Sequence, residues 1–399
     1  MRQLMTALGA PIVFREYLPE GVLPSALAQH ADSLSQVPSS KRDLTILSDR
    51  PLNAETPAHL LDPEVTPNDL HFVRNNGLIP QRALDQDEVG WELTIDGEVR
   101  EPRNWTLSQL QSEFEQQQAR ITIECAGNGR AGYYPNASGN QWTLGAVGCA
   151  EYRGVRLADV LAKSGLKASA VYIGYYGEDP HLSRDPNRQP ISRGVPIEKA
   201  IDPDTLLAWE MNGVPLPPEH GFPLRLICPG WPGSTCGKWL RRIWIRDREH
   251  DGTKMTGSSY RVPNHPVPAG TTVPSEEMGI ITVMPVKSLI TRPKTGLQAK
   301  TDQGLPIRGH AWSGTGPVKQ VDVTFDFGAT WIRTELDPPP NRYAWQRWRA
   351  VIKLPKAGYY ELWARATDFQ GRAQPMIVPG WNPKGYLNNA MHRIAVQAV

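Results

Sequence analysis

The sequence predicts a mixed α/β (α+β) domain followed by an all-β sandwich, and three observations carry that reading. The 399 residues include 35 glycines and 37 prolines, above the roughly 12% of average usage and below the ~25–30% of disordered chains. Such a chain is rich in turns, which argues against a helical bundle or coiled coil. From about Leu52 to Pro266, short strand patterns interleave with short helical ones, whereas beyond Pro274 only strand patterns remain. The length also exceeds the ~250–300 residues at which single cores stop growing.

Each element has its own signal. Trp91 to Gly97 reads as a strand entering a turn. Thr106 and Gln109 form a capping-box pattern, with Leu107, Leu110 and Phe114 along one helical face. Ile121, Ile123 and Cys125 alternate and share one face of a strand. Val155 to Leu166 reads as a second short helix, with Leu157, Val160 and Leu161 inward. Pro223 to Cys228 is a strand stopped by Pro229-Gly230. Pro263, Pro266, Pro268, Gly270 and Pro274 mark the domain boundary. After it, Val321 to Phe325, Arg347 to Leu354 and Tyr359 to Ala366 are strands, and five to seven such runs make a β-sandwich. Residues 30–55 are polar and read as an extended linker or arm.

Charge and cysteine use exclude several classes. The net charge is +2, so no global field recruits nucleic acid or a membrane surface. No run reaches the ~18 apolar residues of a membrane span. Four cysteines, Cys125, Cys149, Cys228 and Cys236, make no disulfide scaffold, and neither C-x-x-C nor C-x-x-C-H occurs. The N-terminus has two readings. Met1 to Phe14 is a short apolar run behind one arginine, followed by a small-x-small pattern at Ser25-Ala26-Leu27-Ala28. It reads as a clipped export signal, which would make the protein periplasmic, or as a surface arm, which would leave it cytoplasmic.

Four constellations could carry chemistry. Glu124 to Arg130 ends an apolar strand on a cysteine, then turns through small residues to an arginine. A thiolate there is a soft metal ligand, and the arginine can hold it ionised; alternatively Cys125 is an inert buried thiol. Phe72-Val73-Arg74-Asn75-Asn76 precedes a glycine and suits a polar ligand, or is a solvated loop. His220, Arg225 and Lys238 arise from a strand and its glycine-rich exit loop, a pattern that forms anion sites. The spacing is not that of a phosphate-binding G-x-x-x-x-G-K-[ST] loop, because Trp239 follows Lys238. Finally, Trp381-Asn382-Pro383-Lys384-Gly385-Tyr386 is an aromatic and cationic cluster near the C-terminus, with a packing role as the alternative.

In order and spacing these segments resemble the sulfite oxidase family of molybdopterin enzymes, from about Leu52 to the C-terminus. The resemblance implies a sulfite-oxidase-type molybdopterin domain at 46–275 and an immunoglobulin-like dimerisation domain at 276–399, behind an arm or signal remnant at 1–45. It implies molybdenum held by molybdopterin, with Cys125 as the protein's ligand to the metal. Phe72, Val73, Arg74, Asn75, Asn76, Asp179, His220, Arg225, Cys236, Gly237 and Lys238 match cofactor-binding positions. Arg74, Arg130, Trp142, Tyr260 and Lys384 match the substrate pocket. Lys384 stands where vertebrate sulfite oxidases have an arginine, keeping the charge but losing the bidentate fork. Gly129 replaces a common arginine.

The activity implied is oxidation of sulfite to sulfate by oxygen-atom transfer, in a homodimer that passes electrons to an external c-type cytochrome. The alternatives are a sulfane dehydrogenase subunit of a sulfur-oxidising complex, an oxyanion or sulfoxide oxidoreductase on the same fold, and a scaffold that has lost its metal.

Overall fold

A computed structural model describes residues 38–399; the N-terminal run and its processing-like pattern lie outside the described residues. Among those residues no helix is long and apolar enough to cross a membrane.

The N-terminal part is built on small sheets. Thr45–Asp49, Leu52–Glu55 and Val73–Arg74 form an antiparallel three-stranded sheet. Residues 45–55 are thus strands rather than the expected arm, because their backbone is paired and all four residues of Leu52–Glu55 are buried. A second sheet centres on Val147–Arg156, flanked by Gln116–Glu124 and Leu206–Met211, the latter also pairing Arg225–Ile227. A third runs Arg103–Thr106, Glu92–Gly97, Leu240–Arg246, Tyr172–Gly177, Gly194–Pro196. One core cluster, including the wholly buried Trp91 and Trp142, fills the space between them.

The helices are short. Leu107–Glu113 begins at Thr106, whose hydroxyl accepts from the Gln109 amide while the Gln109 side chain accepts from the Thr106 amide. This closes the capping box and satisfies two otherwise orphaned donors. Phe114 leaves the helix in extended backbone and packs edge-on against Trp105. The second helix is Leu157–Ser164. Val155 and Arg156, expected at its start, instead complete a strand, since cross-strand pairing to Leu207 and Leu206 claims their backbone.

The C-terminal part is a sandwich of two sheets. One runs Lys287–Arg292, Leu305–Trp312, Gln346–Ile352, Glu335–Leu336; the other runs Leu297–Ala299, His392–Ala398, Gly358–Asp368, Val318–Thr324, Ile332–Arg333. Their inward faces form a separate core around Trp348, Leu362 and Val321.

Several contacts join the two parts. Leu61, Val147 and Cys149 pack with Leu289, Trp312 and Trp345. Asp62 takes a bidentate pair from Arg308. Glu124, one residue before Cys125, is buried and receives the Lys287 ammonium and the Trp312 indole N–H at 2.9 Å. Ala126, Ile191, Tyr260, Ile281 and Tyr386 form a further small cluster beside the cysteine turn.

Candidate active site

The strand Gln116–Glu124 delivers Cys125 to the floor of a pocket of about 670 Å³, counting its mouth. Ile123 lines the same pocket from the same strand face, as the alternation requires. Cys125 is buried, its amide donating to Ala146 O at 2.9 Å and its carbonyl accepting from Asn128 N. The turn after it is tight: Gly129 adopts φ +92°, a left-handed conformation that a side chain resists.

One wall of the pocket is cationic. Lys238 Nζ donates to Asn75 Oδ1 and Glu219 O, both at 2.7 Å, and Arg225 donates to His220 O. Beneath them lies Lys41, wholly buried, with Nζ 2.8 Å from His220 Nε2 and 3.5 Å from Glu219. Burial pushes the Lys41 ammonium down to about 8, and burial together with Lys41 depresses His71 to about 3. Burial, then Lys41, holds His220 well below the usual imidazole range, so it is neutral at physiological pH. Lys238 is likewise pushed down, first by burial and then by Arg225. Glu219 is the one carboxylate paired in this cluster among the described residues. A wall with this excess of donors favours an anion.

Arg74, Asn76, Asp179 and Tyr260 line the same pocket, and Lys238 Nζ reaches the Arg74 carbonyl at 3.3 Å. Arg74 donates to Asn53 Oδ1 at 3.2 Å and to Asn76 Oδ1 at 2.9 Å. Burial raises the Asp179 carboxyl to about 7. Tyr260 carries φ +53° and stacks on Tyr386 with centroids 5.4 Å apart.

Eleven residues picked out from sequence thus meet in one cavity: Phe72, Arg74, Asn75, Asn76, Cys125, Asp179, His220, Arg225, Cys236, Lys238 and Tyr260. Five do not line it. Val73 is buried in its strand, paired with Ala54. Gly237 acts from behind: a Cβ there would come within 2.6 Å of the Tyr175 ring, which does line the pocket. Arg130 is buried, but its Nε donates to Lys384 O at 2.7 Å and its Nη1 to Asn140 O at 2.8 Å. Its guanidinium lies over Tyr386, so it meets Tyr260 only through that ring. Trp142 is wholly buried in the core. Lys384 reaches outward to Ser138 Oγ. Ser234 and Trp239, from the glycine-rich exit loop, also line the pocket, as do His71 and Tyr175; these last two, and Lys41 behind His220, carried no motif signal.

Orphaned polar atoms test what this pocket fits. Asn75 Nδ2, Arg225 Nε, His71 Nε2 and Ser234 Oγ are buried without a hydrogen-bond partner, and all four residues line it. Buried donors stay unpaired at a cost of ~1–3 kcal/mol each, so the wall is shaped for a polar, anionic ligand. Among the described residues no cluster of three or more His, Cys, Asp or Glu side chains could hold a metal alone. A metal at Cys125 therefore needs most of its ligands from a bound cofactor, and a cofactor bearing both sulfur ligands and a phosphate fits this donor set.

The fold and pocket define a molybdopterin-binding oxidoreductase. Residues 77–254 match the oxidoreductase molybdopterin binding domain, and residues 278–399 match the Mo-co oxidoreductase dimerisation domain. The chain is 34% identical to mitochondrial sulfite oxidase of Rattus norvegicus, over 92% of this chain and 68% of that one. It is 32% identical to sulfite oxidase of Gallus gallus, over 91% and 80% respectively. The mitochondrial sulfite oxidase of Drosophila melanogaster is 34% identical, and the chain spans 65% of its length. Among solved structures, the sulfane dehydrogenase SoxCD from Paracoccus pantotrophus superposes with a TM-score of 0.71 at 27% identity, covering 96% of this chain and 90% of that one. This chain belongs to the sulfite oxidase family of molybdopterin-dependent oxidoreductases, so its cofactor is molybdenum bound by molybdopterin.

Proposed function

We propose that the protein oxidises sulfite to sulfate and passes the electrons to an external c-type cytochrome. The observation that carries this is the make-up of one cavity. Cys125, the donors of Arg225, His220 and Lys238, and Arg74 with Tyr260 all line it. The cationic wall would bind the cofactor's phosphate, and Cys125 would ligate its metal. The bound cofactor supplies oxygen-atom transfer and a two-electron store.

The chain's own residues supply the rest. Arg74 binds and orients the sulfite dianion by charge-assisted hydrogen bonds. The rings of Phe72, Tyr175 and Trp239, which line the pocket, limit water around the cofactor. Tyr260 presents a phenol in reach of the bound anion. Atoms and electrons balance as sulfite plus water giving sulfate, two protons and two electrons, which leave singly to the cytochrome.

The relatives named sulfite oxidase support sulfite as substrate, and the dimerisation-domain match supports a homodimer. The export-like pattern near Ser25 to Ala28 supports a periplasmic location, where a cytochrome acceptor would be met. A second reading, action on a sulfane sulfur, has one favouring observation: the likeness to SoxCD extends over nearly the whole chain. Steady-state assays on molybdenum-loaded protein separate the two readings. The proposal expects sulfite-dependent cytochrome reduction, and turnover of a sulfane donor without turnover of sulfite overturns it.

A further inference from the structure

The loop that follows the strand Leu240–Arg246 places a second cation beside Arg74, one that no motif marks. Lys254 Nζ contacts Asn76 Oδ1, the same oxygen that accepts from Arg74 Nη2. Two cations thus converge on one neutral amide oxygen. Among the described residues neither Arg74 nor Lys254 forms an ion pair with a carboxylate. The nearby acid is Asp179, whose carboxyl burial raises to about 7 and so leaves partly protonated at neutral pH. Burial lowers the proton affinity of Lys254; the Tyr260 phenol opposes this, Arg74 adds to it, and Asp179 opposes it more weakly. Like charges held together without a counter-ion favour an arriving anion.

The lysine is also held in place from behind. It is not glycine, yet its φ is +70°, a backbone conformation that persists only where the surroundings enforce it. Arg193, wholly buried, donates Nη1 to the Lys254 carbonyl at 3.4 Å and lays its guanidinium 4.7 Å from the Tyr260 ring centre. One arginine therefore anchors the backbone of Lys254 and the ring of Tyr260. By contrast, Arg130 spends two of its nitrogens on backbone carbonyls, and Lys384 faces Ser138.

We propose that Lys254 is the second cation of the substrate-anion site, acting with Arg74 across the shared Asn76 amide oxygen, and that this pair selects doubly charged sulfur oxyanions over singly charged ones. The proposal rests on the sulfite reading and deepens it.

The test uses the molybdenum-loaded full chain and measures sulfate and nitrate binding by calorimetry, beside molybdenum content and the KM for sulfite. Lys254→Gln is expected to weaken sulfate binding and raise KM by about 10–100-fold, the range of one charge-assisted contact, with nitrate affinity changed less than about threefold and molybdenum content unchanged. Lys254→Arg, which keeps the charge, should stay within about threefold of wild type. Lys254→Met repeats the comparison if the glutamine variant folds poorly. Unchanged sulfate binding in both neutral variants at full molybdenum content overturns the proposal, as does equal loss of sulfate and nitrate. Wild-type protein that binds sulfate through Lys254 yet does not oxidise sulfite supports this assignment while overturning the sulfite reading.

Discussion

On the proposed reading, Cys125 is the residue on which the chemistry turns. Its thiol lies on the pocket floor, and no other cysteine can replace it: Cys149 and Cys228 are wholly buried elsewhere in the core, and Cys236 exchanges contacts with the Cys228 backbone. Cys125→Ser should therefore abolish turnover, because a serine oxygen is a poor partner for a soft metal. Molybdenum content and sulfite turnover, measured on the same sample, check this; wild-type turnover in a fully loaded variant contradicts it. Arg74→Gln should raise the KM for sulfite about 10–100-fold through loss of a charge-assisted contact, with a smaller change in kcat. An unchanged KM in steady-state kinetics moves Arg74 out of the substrate site. Much of the site was legible at this scale because its residues sit at strand ends and in glycine-rich loops, where cysteine and cations have little structural reason to be. Lys41 was not legible. It stands in a polar stretch indistinguishable from a linker, and only the folded chain brings it 2.8 Å from His220. Lys254 and Arg193 were hidden for the same reason, as single basic residues among many. Lys384 shows the converse: its neighbourhood in sequence pointed to the pocket, while its ammonium faces Ser138.

At the scale of elements, period-2 alternation located the strands and a capping box located one helix, but their ends were set by pairing. Val155 belongs to a strand because Leu207 and Gln116 claim its backbone. The strand carrying Cys125 begins at Gln116, well before the apolar alternation, because it pairs with Val147–Arg156 throughout. The same strand ties the two parts of the molecule together. Glu124 is buried, and its charge is met by Lys287 from the first strand of the sandwich. Lys287→Met should leave that carboxylate uncompensated and cost about 3–5 kcal/mol, readable as a lowered denaturation midpoint. It should also disturb Cys125 one residue away, so cofactor retention should fall with it. A variant as stable as wild type shows the pair to be dispensable.

Across the whole molecule, buried histidines set the acid limit of stability. Burial lowers His71 to about 3, and His250, His310 and His392 to about 4, from the ordinary 6.5. Each is neutral when folded but protonates near 6.5 when unfolded, so between those values the unfolded state binds more protons. Stability then rises with pH in that window and is lost as pH falls from about 6.5 toward 4. Urea midpoints taken at about pH 7 and about pH 5 should show the loss; equal midpoints would mean the rings are solvated. On the proposed reading, the cavity above Cys125 binds the molybdenum cofactor and sulfite is oxidised there. The most direct measurement is sulfate formed per electron delivered to cytochrome c, across preparations of graded molybdenum content. One sulfate per two electrons is expected, with a rate proportional to molybdenum. Fully loaded protein that forms no sulfate from sulfite contradicts that reading.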